Sequence, residues 1–119
     1  MPAIMDIKII REKISKEELC QMAVANYGDM IKGVVDLNKK IIALGGELHA
    51  DAEEVLLRQG SRQSDLWGFN LFVDKPVAER VVYTSLINIR PNQGNRSMEI
   101  NDAKLKDQIR HIIDAWVEQ

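Results

Sequence analysis

Two short stretches concentrate the side chains that could do chemistry. In the first, Gly45-Gly46-Glu47-Leu48-His49-Ala50-Asp51, an imidazole stands between two carboxylates. If a strand continues through the two glycines, Glu47, His49 and Asp51 fall at i, i+2 and i+4 and project from one sheet face. Two carboxylates and an imidazole suit a divalent metal such as zinc, manganese or iron, and three protein ligands leave a position for water. A metal-bound hydroxide there would hydrolyse an ester or amide, and without a metal His49 could serve as general base. The competing reading makes Asp51 the N-cap of a helix, with Glu54 three residues on, and His49 a hydrogen-bonded structural residue. No His-Glu-x-x-His spacing occurs, and His111, the only other histidine, sits beside an apolar helical stripe.

The second stretch, Asn88-Ile89-Arg90-Pro91-Asn92-Gln93-Gly94-Asn95-Arg96-Ser97, holds two arginines and no acid. Arg90 and Arg96 offer planar donor forks for a carboxylate or phosphate, with Asn92, Gln93, Asn95 and Ser97 to orient it. Gly94 would let backbone N–H groups approach an anion, and Trp67 could add a stacking surface. Neither a phosphate-loop consensus nor a dinucleotide-binding glycine fingerprint is present. The competing reading is a long turn whose amides bond its own backbone, while the arginines pair with Glu99 or with the acids between Glu47 and Glu54.

The elements that would position these residues follow from patterning. Asp6 to Arg11 reads as a strand, and Ser15-Lys16-Glu17-Glu18 as a capping box opening a helix that Gly28 stops. Met30 to Leu37 and Lys40 to Leu44 form a hairpin, with Asn38-Lys39 supplying the left-handed turn backbone. A short helix follows from Asp51 to Gly60. The aromatic and β-branched run Trp67 to Val73 is a strand, and so is the alternating run Val81 to Arg90, ended by Pro91. From Asp102, Leu105, Ile109, Ile112, Ile113, Trp116 and Val117 mark one apolar stripe of a helix. The order β-α-β-β-α-β-β-α predicts an α+β fold with a mainly antiparallel sheet of about five strands and three helices covering one face. The aromatic residues belong to the core, and the methionines fill gaps in it.

Composition bounds the function. A chain of 119 residues that is 45% apolar builds one core, so residues 1–119 are expected as one domain, with residues 1–4 a flexible extension. Net charge is −2, which excludes a global positive field for nucleic acid or an anionic membrane. No stretch reaches the roughly 20 apolar residues of a membrane helix, and no signal peptide is readable. With Cys20 as the only cysteine, a cytoplasmic location is expected.

Four phrases together, KIIREKISKEEL, ALGGELHADAEEVLL, DLWGFNLF and SLINIRPNQGNRSMEI, resemble a family of small uncharacterised prokaryotic proteins, a domain of unknown function. The resemblance covers nearly the whole chain and implies one compact domain, with Met1 to Ala3 outside it. It assigns no catalytic role to any residue. The sequence therefore leads to a small binding domain whose Asn88–Ser97 loop recognises a small anionic ligand or a protein carboxylate. A metal-assisted hydrolase using Glu47, His49 and Asp51 and a structural or protein-interaction module are the alternatives, and self-association into a homodimer is open to each.

Overall fold

The computed structural model describes residues 6–118. The expected extension at residues 1–4 lies outside them. Five strands, β1 (Lys8–Ile10), β2 (Met30–Asp36), β3 (Ile41–Leu44), β4 (Leu66–Phe72) and β5 (Val81–Val82), form one antiparallel sheet in the order β1-β3-β2-β4-β5. Three helices, α1 (Lys16–Ala25), α2 (His49–Arg58) and α3 (Ala103–Trp116), complete the α+β fold expected from the patterning. Among the described residues no helix is long and apolar enough to cross a membrane.

The expectation that all helices share one face is overturned, because the central strands are apolar on both sides. In β2 the neighbours Val34 and Val35 are both fully buried, though they point in opposite directions. Ile31, Val35, Ile42, Leu44, Phe69 and Leu71 meet Leu19 and Ala23 of α1 and Ile109, Ile112 and Ile113 of α3. On the other face Val34, Ala43 and Leu66 meet Ala52 and Leu56 of α2. The sheet is thus a middle layer.

Local chemistry sets the ends of the elements. The Ser15 hydroxyl accepts from the Glu18 N–H at 3.1 Å, whereas the Glu18 carboxylate pairs with Lys8 rather than closing the expected reciprocal box. Asp102 caps α3 by accepting from the Lys104 and Leu105 N–H groups. The Trp116 indole N–H, donating to the Lys40 carbonyl at 2.7 Å, ties the far end of α3 to the β2–β3 turn. That turn is organised by Asp36, whose Oδ1 accepts from the Asn38 and Lys39 N–H groups. Its left-handed residue is Lys40, with φ 56°, where the sequence pointed to Asn38.

Two further expectations fail at the candidate stretches. The third strand stops at Leu44, because Gly45 turns left-handed with φ 107° and passes so close to the Asp6 carbonyl that a Cβ would lie 2.0 Å from its oxygen. The chain then enters α2 two residues earlier than Asp51. The long strand from Val81 to Arg90 is only Val81–Val82, followed by short 3-10 turns at Leu86–Asn88 and Pro91–Gln93. Its alternation is real, but side chains take over from the backbone ladder. The Ser85 hydroxyl accepts from the Ile87 N–H at 3.3 Å and curls the chain. Asn88, with 0% exposure, accepts from the Gly68 N–H at 2.8 Å and donates to the Gly68 carbonyl at 3.0 Å. One side-chain amide thereby satisfies the edge of β4 where a strand residue would have stood.

Candidate functional site

The Asn88 anchor holds residues 84–98 over the β4 side of the sheet, and between this segment and the start of α2 a cleft of about 330 Å³ remains. Its floor is strand. Lys32 of β2 and Asn70 of β4 are directly paired across the ladder, so both side chains rise from the same face. His49 and Ala50, the first turn of α2, form one wall, and Thr84, Ser85 and Ile87 the other. Leu48, Leu86 and Met98 line it as exposed apolar groups, Leu86 at 70% exposure.

Two polar groups in the cleft have unspent capacity. The Asn70 amide donates to the Thr84 carbonyl at 3.1 Å, while its Oδ1 is buried without a donor among the described residues. His49 is 8% exposed and its Nε2 lies 2.8 Å from the Phe69 carbonyl. Because a carbonyl only accepts, Nε2 carries the proton and Nδ1 is left as an acceptor. Burial lowers the His49 pKa against the opposing Phe69 hydrogen bond, and Lys32 lowers it too, while the Asn70 amide opposes. Gly68 is what lets the ring in, for a Cβ there would lie 2.6 Å from the Ser85 Cβ and 3.2 Å from the His49 Cδ2.

Glu47, His49 and Asp51 are not brought together as a ligand set. Asp51 occupies the third position of α2, and its carboxylate accepts from the Leu48 N–H at 3.2 Å, closing the helix start from inside rather than as the expected N-cap. Glu47 is exposed, and its carbonyl accepts the Tyr27 hydroxyl at 2.6 Å. Among the described residues no three histidine, cysteine or carboxylate side chains gather to hold a metal.

The Asn88–Ser97 loop spends most of its polar groups on itself and on the chain packed around it. Arg90, 7% exposed, pairs with Glu53 of α2 at 3.2 Å, donates to the Ile87 and Gln63 carbonyls, and lies 4.9 Å above the Trp67 ring. Burial lowers its pKa while Glu53 raises it. Arg90 thus pairs with one of the acids between Glu47 and Glu54, as the competing reading has it, but with Glu53 and not with Glu47 or Asp51. Asn95 donates to the Asn88, Ser97 and Glu99 carbonyls, Gln93 to that of Ser64, and Ser97 to that of Glu99. Asn92 and Arg96 remain at the exposed tip. Lys32 and Asn70 were missed by the sequence reading, although both interrupt apolar strands, which is the signal that could have found them.

Removing Arg90 leaves the buried Glu53 charge unpaired, so Arg90→Ala is expected to cost about 3–5 kcal/mol, against about 0.5 kcal/mol or less for Arg96→Ala. Urea unfolding of both variants checks this, and equal small losses would refute the clamp. For His49, the unfolded ring takes up a proton near pH 6.5 and the folded ring only at lower pH. Stability is therefore complete above that value and falls as pH drops through the interval between the two pKa values. His49→Gln should lose less stability than the parent between neutral and mildly acidic pH in thermal melts. Parallel losses would show that His49 does not carry the acid sensitivity.

No curated protein and no solved structure matches the chain. A family model described as Protein of unknown function (DUF5674) matches residues 8–116, which carry both the cleft and the loop that walls it. The chain belongs to this family of unknown function.

Proposed function

We propose that the protein is a small-molecule binding domain whose cleft takes a compact anionic ligand with an apolar body and one hydrogen-bond donor. The observation that carries this reading is the buried, unpartnered Asn70 Oδ1 among the residues that line the cleft. A buried acceptor without a donor costs free energy, and a ligand donor would recover it. Among the described residues Lys32 is the only charged side chain lining the cleft, and the N-terminal turn of α2 adds positive potential beside it, so the favoured ligand is negative. Leu48, Leu86 and Met98 suit its apolar part. The volume sits near the lower end of small-molecule sites, which limits the ligand to metabolite size.

In this reading the Asn88–Ser97 loop contributes as the wall of the site, with Arg90, Gln93, Asn95 and Ser97 holding the wall in place. The test is a thermal-shift screen of small carboxylates and phosphates, followed by titration calorimetry on hits. Lys32→Gln and Asn70→Ala are each expected to weaken binding about tenfold or more, whereas Asn92→Ala and Arg96→Ala leave it unchanged. The opposite pattern would return recognition to the loop tip. Absence of any hit, with association that Leu86→Ser abolishes, would favour the protein-interaction reading and make the apolar residues an interface with a partner or a second copy.

A further inference from the structure

The floor of the cleft limits how far apart a ligand's two polar contacts can be. Lys32 and Asn70 stand directly opposite each other on β2 and β4 and both line the cleft, which sets their Cβ atoms about 4.5–5.5 Å apart. The Asn70 amide is held in one orientation, because its N–H donates to the Thr84 carbonyl at 3.1 Å, and Oδ1 is the atom left to be filled. No carboxylate among the described residues forms an ion pair with Lys32, whose Nζ lies 5.3 Å from the Tyr27 ring centroid. A ligand that meets both residues must carry its hydrogen-bond donor close to its negative group.

What lines the cleft also sets the charge of each group. Lys32 supplies one positive charge, which one carboxylate balances, whereas a phosphate monoester brings about 1.5–2 negative charges at neutral pH. Among the described residues no acid lines the cleft. The acceptors there are Asn70 Oδ1 and the His49 ring, which burial keeps uncharged at neutral pH, so an ammonium set beside Lys32 would go without a counter-charge. A hydroxyl donates one hydrogen bond and brings no charge. Met30, Leu48, Leu86 and Met98 line the cleft beside these groups and suit an aliphatic side chain.

Resting on the reading of the cleft as an anion-binding site, we propose that its ligand is an aliphatic 2-hydroxy carboxylate. The carboxylate pairs with Lys32, the hydroxyl on the neighbouring carbon donates to Asn70 Oδ1, and the side chain packs on Leu48, Leu86 and Met98. Asn70 is then the residue that tells a 2-hydroxy acid from the plain carboxylic acid, and the cationic, acid-free lining turns away the corresponding amino acid.

Compounds that share one branched body separate these contributions: leucic acid, which is the 2-hydroxy analogue of leucine, isocaproate, leucine and isopentyl phosphate. Calorimetric titration of the full chain at neutral pH is expected to rank leucic acid tightest, with a loss of about tenfold or more for each of the others. In Asn70→Ala, leucic acid and isocaproate should bind within about twofold of each other, while Lys32→Gln weakens both. The ranking in the parent protein holds its meaning even where Asn70→Ala fails to fold. Equal binding of leucic acid and isocaproate, or tighter binding of leucine or of the phosphate, would overturn the proposal while leaving the cleft a binding site, since Lys32→Gln would still weaken whichever anion bound. A preference for leucic acid that survives in Asn70→Ala would overturn it as well. Binding of none of these compounds would also overturn it, and the wider screen of carboxylates and phosphates then decides whether the binding reading falls with it.

Discussion

The structure beyond the central sheet depends on one substitution of roles, in which the Asn88 side chain does what a strand backbone would do. Past Val82 the chain leaves the ladder, and the Gly68 N–H and carbonyl would be left open at the edge of β4. Two short hydrogen bonds from one fully buried amide close them. Unsatisfied backbone groups at this depth would cost about 1–3 kcal/mol each, so the contact outweighs any single surface interaction in the loop. It also frees the segment to curl, and a curled segment can stand off the sheet and enclose a cleft.

The other polar contacts extend this anchor. Asn95 gathers three carbonyls of the segment, and Arg90 reaches from it to α2 through Glu53 while covering Trp67. Each wall of the cleft is thereby fixed to the other and to the sheet between them. Arg90, Gln93 and Asn95 bond to the fold around them, and Asn70 and His49, which keep unspent capacity, lie inside strand and helix. Buried polar networks of this kind hold a unique geometry when every member is satisfied.

How far the residues foretold this depends on whether an element is governed by its own pattern. The apolar stripe of α3 is local, and Ile109, Ile112 and Ile113 are buried as the spacing predicts. The five strands and three helices were likewise legible from runs and caps. The 81–90 region was not, because alternation reports which way side chains point and not whether the backbone finds a partner. Asn88 diverts it through a contact twenty residues away in sequence. The start of α2 was misplaced for a related reason: Asp51 caps from within the helix, and the Asp6 carbonyl, remote in sequence, passes where a side chain at residue 45 would stand, so that only glycine fits the left-handed turn there. Lys32 and Asn70 acquire meaning only when the register sets them opposite each other.

The most direct test of this account is hydrogen exchange at the Gly68 amide, measured by NMR against the other amides of β4. The account predicts exchange only through global unfolding, as slow as the central ladder of β2 and β4, and a selective loss of that protection in Asn88→Ala. Rapid exchange of Gly68 in the parent protein, while Phe69 and Leu71 remain protected, would contradict it, because the Asn88 side chain would then not be closing the sheet edge on which the cleft is built.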